Sequence, residues 1–299
     1  MELSGEVATA LASGRAVVAL ESTIIAHGLP RPDNLEIARR IEGCVRDQGA
    51  VPATIAVLDG VIHVGLAPEL LEQVARREDI TKASIRDLPG VVAGGRSAAT
   101  TVASTAHIAH LAGIRVFATG GLGGVHRGAS DTFDESADLP ALAQTPIVVV
   151  CAGVKSILDV PATLERMETL SIPVVGFGTD RFPGFYLADS GHPAPGRVDT
   201  QQEVAAMAEY RTRLRMPQAI VVANPLPAGE QVDPALHDRV LTAALAAAEA
   251  QGVRGKDATP FVLAHFHDNT HGESMRANVR LVMRNAELAA RIATAMHGA

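Results

Sequence analysis

Between Gly120 and Lys155, three kinds of chemically useful residue follow one another at short range. The stretch Gly120-Gly121-Leu122-Gly123-Gly124-Val125-His126-Arg127-Gly128 holds five glycines in nine residues. Glycines let backbone amides approach an anion closely, and His126 and Arg127 add donors and charge. A tight turn of packed glycines is the alternative. The stretch is not a Walker A loop, because no Gly-Lys-Ser/Thr closes it, nor a dinucleotide fingerprint, because His126 stands in the third glycine's place. Asp131, Asp134, Glu135 and Asp138 then put four acids in eight residues. If helical, Asp134 and Asp138 share a face, as hard ligands for Mg2+ or Mn2+ or as a solvated acidic turn. Cys151-Ala152-Gly153-Val154-Lys155-Ser156 ends the run with a lysine just past an apolar strand. Such a lysine can lose its proton by desolvation and attack a carbonyl carbon, although most lysines are surface charges. Together the three pieces suggest an active site for a phosphorylated substrate.

Two residues outside this run belong with it. Glu21 directly follows the apolar run Ala16 to Leu20, a position where α/β folds bind ligands, and apolar neighbours would raise its pKa toward proton transfer. A surface glutamate capping a loop is the alternative. Lys82, in Thr81-Lys82-Ala83-Ser84, suits a cationic phosphate clamp. His265, His267 and His271 resemble a metal spacing, but without cysteines or a matching His-Glu motif a partly exposed helix end is the better reading.

Positioning these groups requires strands that end at the site. Ala16 to Leu20, Ile114 to Ala118, Pro146 to Cys151, Pro173 to Phe177 and Ala219 to Val222 read as strands alternating with helices. Thr54 to Leu58 and Val61 to Val64 flank Asp59-Gly60, a type I′ hairpin signal, so the sheet is expected to be mixed. Helices are expected from a capping box at Asp33 and Glu36 to about Asp47, after Asp159-Val160-Pro161, from Asp233-Pro234 to Gln251, and from Ser274 to Met296. The expected fold is a three-layer α/β/α architecture with a mixed β-sheet, forming a single domain over residues 1–299.

Composition narrows the function. A net charge of −7 with no basic stripe argues against nucleic acid as partner. Two cysteines are too few for a disulfide framework, and Cys151, in an apolar run, suits a buried inert thiol. With no apolar stretch near the ~20 residues of a membrane span and no signal-peptide pattern, a soluble cytoplasmic protein without membrane contact is expected.

The chain resembles the pseudouridine-5′-phosphate glycosidase family, also called indigoidine synthase A-like, from about Val17 to Ile292. The resemblance rests on Ala19-Leu20-Glu21-Ser22-Thr23-Ile24-Ile25-Ala26-His27-Gly28, on Gln48 to Ala56, on Ala99 to Thr105, on Gly120 to Lys155 and on Val222-Ala223-Asn224-Pro225. It implies reversible cleavage of the C–C glycosidic bond of pseudouridine 5′-phosphate to uracil and ribose 5-phosphate. It further implies Lys155 as the Schiff-base lysine on ring-opened ribose, Glu21 as acid/base and Asp134 as ligand to a divalent metal, typically Mn2+. Lys82, Val102, Ser136, Ala137 and Asp138 match substrate-contacting positions, and Asn278 matches a polar residue near the site. With His126 from the glycine loop, these form the expected substrate-binding set of a homotrimer. The chain departs from the family pattern near its C-terminus, where His271 replaces a common glycine and Arg284 stands where asparagine is frequent.

The chemistry agrees with the resemblance. A carbon leaving group has no glycosidic oxygen to protonate, so two carboxylates alone are insufficient. An amine on C1′ can drive out the base as an iminium forms, provided uracil C5 is protonated. A sugar-phosphate aldolase using the same lysine, and a phosphosugar-binding regulator, are the competing readings. Uracil release, an aldehyde–ketone pair, or binding without turnover separates the three.

Overall fold

The computed structural model describes residues 1–253 and 258–297. Its strands in chain order are Glu2–Leu3 (β1), Val17–Leu20 (β2), Val51–Leu58 (β3), Val61–Val64 (β4), Thr81–Ala83 (β5), Ala98–Thr100 (β6), Val116–Ala118 (β7), Val148–Cys151 (β8), Val174–Phe177 (β9), Arg197–Val198 (β10) and Ile220–Ala223 (β11). Helices are Gly5–Ala12 (α1), Asn34–Asp47 (α2), Pro68–Arg76 (α3), Leu88–Ala93 (α4), Val102–Leu111 (α5), Ala129–Thr132 (α6) and Asp138–Leu142 (α7). Val160–Thr169 (α8), Gln201–Arg213 (α9), Pro234–Ala250 (α10), Ala258–Asn269 (α11) and Glu273–Ala295 (α12) complete the α-helices among the described residues.

The strand order is β1-β4-β3-β2-β7-β8-β11-β9-β10, with β6 on β3 and β5 on β6. From β3 through β2, β7, β8, β11 and β9 to β10 every pairing is parallel. Strands β2, β7, β8 and β11 at the sheet's centre are short apolar runs buried along their whole length, as strands covered on both faces must be. Antiparallel pairing enters at β3, which is eight residues long. Its first half, Val51 to Thr54, pairs with β2, and its second half, Ile55 to Leu58, pairs with β4. Ala56 and Val57 also face β6. The hairpin between β3 and β4 turns where expected, with Asp59 and Gly60 both at positive φ, 48° and 80°. The mixed sheet between helical layers agrees with the fold expected from sequence.

Helices cover the sheet with small residues. Along α12, Ala277, Ala286, Ala289, Ala290 and Ala293 are buried beside Leu281, Val282, Leu288 and Ile292. Few atoms project from an alanine, so this helix lies close across β2, β7 and β8, with α2 and α9 against its flanks. On α2, Leu35, Ala38, Ile41 and Val45 recur at helical spacing and are buried. Asp159 and Asp233 cap α8 and α10, as the sequence predicts, by accepting from the amides of Ala162 and Leu236. The expected capping box at Asp33 does not form. Asp33 itself is helical (φ −69°, ψ −19°), and the Asn34 amide donates to Pro30 O, so the first turn starts before the expected cap. Asn34 instead holds its neighbours together, donating to Ile25 O and Ala75 O. Among the described residues no helix is long and apolar enough to cross a membrane.

Candidate active site

The parallel strands deliver their next residues to one edge of the sheet. Glu21 follows β2, Thr119 follows β7, Asn224 follows β11, and Lys155 stands four residues beyond β8. The Thr119 hydroxyl donates a short hydrogen bond to the half-buried Glu21 carboxylate. Burial holds the Glu21 carboxyl above the usual carboxylate range. The positive charge of Lys155, the Thr119 hydrogen bond and Lys82 oppose that rise, while Asp138 adds to it.

Lys82 reaches the same place from the smaller part of the sheet, where it pairs with Ala99 across the parallel strands β5 and β6, and β6 joins β3 antiparallel. Lys82 is exposed as a residue, yet desolvation pulls its amine below the ordinary lysine range, and Lys155 pulls it further. Glu21 and Asp138 act in the opposite sense. A buried latch joins the two parts: Ser22 Oγ accepts from the Thr100 amide (2.8 Å), and Thr23 Oγ1 donates to Thr100 O (2.7 Å). Lys82, Glu21, Lys155 and Asp138 thus share one neighbourhood.

Part of the glycine run is used within the protein. The amides of Leu122, Gly123, Val125 and His126 donate to Gly153 O, Asp138 Oδ2, Thr163 Oγ1 and Asp134 O, so they are committed within the protein. What the glycines supply is closeness. A Cβ on Gly121 would lie 2.5 Å from the Phe185 ring, one on Gly123 2.2 Å from Ser136 Oγ, and one on Gly124 2.4 Å from Thr163 Oγ1. The run is stitched to the segment after β8, because the Lys155 amide donates to Leu122 O (3.2 Å). Gly153, at φ +83°, passes so near Pro183 O that a Cβ would sit 2.3 Å from it. These contacts fix the backbone on both sides of Lys155.

The acidic cluster divides. Asp134 and Asp138 do not share a helix: α6 ends at Thr132, Phe133 turns left-handed at φ 55°, and α7 begins only at Asp138. Asp138 is buried, and its two carboxylate oxygens accept from the Ala103 amide (3.0 Å) in the first turn of α5 and from the Gly123 amide (2.8 Å). It therefore ties the glycine run to the start of α5, whose first residue, Val102, is buried. Ser136 Oγ accepts from the Asp138 amide (3.2 Å), and Ala137 leads into α7. Asp131 is exposed, and Glu135 accepts from Arg166 Nε (2.8 Å).

Asp134 is left facing His126, whose Nδ1 lies 3.8 Å from its Oδ2. Among the described residues no three His, Cys, Asp or Glu side chains group as a metal cage. One carboxylate beside one imidazole fits a hard divalent cation that keeps several waters, not a structural zinc. His267 bonds instead to Ser274 (3.1 Å).

Asn278 is buried on α12 against Gly120, its Oδ1 3.7 Å from where a Cβ would stand. One turn pair further along, Asn285 was not anticipated from sequence. Its Nδ2 donates to Thr119 O (2.8 Å), and its Oδ1 accepts from Asn224 Nδ2 (3.0 Å). Thr119 and Asn224 both directly follow strands, the same signal that singled out Glu21. Arg284 forms a two-point ion pair with Glu230, while Arg280 donates to Glu230 O (2.7 Å). These contacts fasten the loop after β11 to α12. Behind Glu21 lies a cavity of about 10 Å³ walled by Leu20, Ile24, Ile41, Thr54 and Thr119.

Residues 6–295 match the family described as indigoidine synthase A like protein. A protein of Saccharopolyspora erythraea named pseudouridine-5′-phosphate glycosidase is 58% identical over 296 residues, covering 99% of this chain and 98% of that one. The protein of the same name from Salinispora tropica is 58% identical, covering 97% and 90%. Among solved structures, the prealnumycin C-glycosynthase AlnA in complex with ribulose 5-phosphate superposes with TM-score 0.92 at 38% identity, covering 99% and 97%. An indigoidine synthase A-like protein from Thermotoga maritima gives 0.88 at 38% identity, covering 95% and 94%.

Proposed function

The chain belongs to the indigoidine synthase A-like family of enzymes, and from that premise we propose that it reversibly cleaves the C–C glycosidic bond of pseudouridine 5′-phosphate. The products are uracil and ribose 5-phosphate. The observation that carries this reading is the convergence of two lysines and Asp138 on one half-buried glutamate at the C-terminal edge of the sheet. The related C-glycosynthase, solved with ribulose 5-phosphate, supports the pentose-phosphate half of the reading.

Lys155 is the nucleophile. Its neutral amine bonds to C1′ as the C1′–O4′ bond opens, and the proton lost by the new ammonium goes to O4′, leaving a secondary amine with a free lone pair. Uracil C5 then accepts a proton from Glu21, whose burial favours the protonated form at the outset. As the C1′–C5 bond breaks, its electron pair returns to the pyrimidine ring and the nitrogen lone pair completes a C=N bond to C1′. Water adds to that iminium, and loss of the amine frees ribose 5-phosphate. Lys82 and the first turn of α5 at Val102 receive the phosphate, where a helix start and an ammonium favour an anion. Ser136, Ala137, His126 and Asn278 line the remainder, and Asp138 positions the glycine run against α5. Asp134, with His126 beside it, would hold a divalent cation such as Mn2+, which supplies positive charge for phosphate or developing anion. The enzyme acts as one domain over residues 1–299, as a cytoplasmic homotrimer by family resemblance, and light scattering tests the assembly.

Borohydride reduction with ribose 5-phosphate tests the central step. Reduction fixes a sugar-phosphate adduct on Lys155, and Lys155→Arg, whose guanidinium stays protonated, does not form it. An adduct mapped to Lys82, or none at all while turnover is normal, overturns the assignment.

A further inference from the structure

At the opposite edge of the sheet lies a groove of about 430 Å³, within the size range of small-ligand sites. Ile114 and Arg115 enter it just before β7, Pro146 before β8, and Met216 before β11, while Arg211 comes from α9 and Arg215 follows that helix. Thr119, Lys155 and Asn224 follow the other ends of these same strands. Three- and four-residue strands at ~3.3 Å per residue put the two places more than about 10 Å apart.

The groove carries a charge imbalance. Arg115, Arg211, Arg215 and His110 line it, and no acidic side chain does. Arg211 is only 5% exposed, and its enclosed Nε and Nη1 have no hydrogen-bond partner among the described residues. Burial and the neighbouring Arg115 pull its guanidinium down to about 10. A buried cation without partners is costly, and buried charges are ordinarily paired. A guanidinium presents a planar fork of donors suited to phosphate or carboxylate oxygens.

We propose that this groove binds a compact oxyanion, a phosphate or phosphate ester, with Arg211 as the enclosed anchor and Arg115 and Arg215 as the outer cations. Three guanidiniums match a multiply charged oxyanion better than a lone carboxylate. The site is separate from the substrate phosphate position at Lys82, and it takes its ligand whether or not the proposed reaction is correct.

Thermal unfolding of the full chain with inorganic phosphate, at ionic strength held constant with chloride, tests the site. Lys82→Met removes the substrate-side cation and isolates the groove. In that background phosphate raises Tm, by about 5 °C at a hundredfold excess over Kd. Adding Arg211→Met abolishes the rise and lifts Tm without phosphate, because an unpaired buried charge is gone. Arg115 is exposed, so Arg115→Met folds regardless and weakens phosphate binding at least tenfold by calorimetry. A rise that survives both arginine substitutions, or one that vanishes with Lys82→Met alone, overturns the proposal. So does a wild-type chain without a phosphate-dependent rise whose Arg211→Met form changes mass by light scattering, which would assign the groove to a second copy's carboxylate.

Discussion

Replacing Thr119 with valine keeps its shape and removes one hydroxyl. That hydroxyl donates to Glu21, while the Thr119 carbonyl, held by Asn285, is untouched. The lost interaction is a hydrogen bond to a carboxylate, worth about 1.5–3 kcal/mol in favour of the ionised form. At about 1.4 kcal/mol per pH unit, the Glu21 pKa should climb by about 1–2 units beyond its already raised value. The limb of the kcat/KM–pH profile belonging to Glu21 then moves to higher pH by that amount, read with pseudouridine 5′-phosphate as substrate. Thr119→Ser keeps the donor and should leave the limb in place. A Thr119→Val limb that stays put, or moves to lower pH, would show that Thr119 does not govern the proton on Glu21. A uniform loss of rate without a shift would reassign Thr119 to positioning alone.

Three other perturbations probe separate parts. Chelation should abolish turnover and Mn2+ restore it, with Asp134→Ala losing the rescue; full activity in metal-free buffer removes the cation from the reaction. Gly123→Ala puts a Cβ 2.2 Å from Ser136 Oγ and should cost about 1–3 kcal/mol by urea denaturation, together with turnover; an unchanged midpoint contradicts the close packing. Glu42, which accepts from Thr54 Oγ1 (2.6 Å), has its carboxyl raised by burial, with that hydrogen bond opposing. Its contribution to stability is therefore full below the unfolded pKa near 4.3 and declines as pH rises through the higher folded value. Glu42→Gln should flatten this part of the stability profile and be more stable than wild type at neutral pH, whereas parallel profiles would place the carboxylate in solvent.

Strand ends were the legible part of this site. Glu21 and Lys155 could be singled out because both follow β-branched runs, and the Asp59-Gly60 hairpin was fixed by two residues that tolerate positive φ. Thr81–Ala83 and Ala98–Thr100 are three residues each, too short for any periodicity, so the strand pair that carries Lys82 was invisible. The glycine run was ambiguous for a different reason. Whether a glycine exposes an amide or admits a neighbour depends on what packs there, and Phe185, Ser136 and Thr163 come from elsewhere in the chain. Asp134 and Asp138 would have shared a face had the segment been helical, but the left-handed Phe133 separates α6 from α7. The Asn285–Asn224 pair spans 61 positions and leaves no local pattern.

The double allegiance of β3 divides labour within the site. Lys82 hangs from strands that attach to the second half of β3, whereas Glu21, Thr119 and Lys155 follow strands stacked outward from its first half. Among the contacts described above, that strand's ladder, the Ser22–Thr100 latch and the Asp138 bridge from Gly123 to Ala103 couple the two groups. Grip on a sugar phosphate and the spacing of the reacting pair can thus diverge separately. A substitution between Arg77 and Ser97 can retune the first while the second stays fixed, leaving room for different carbon leaving groups on one scaffold.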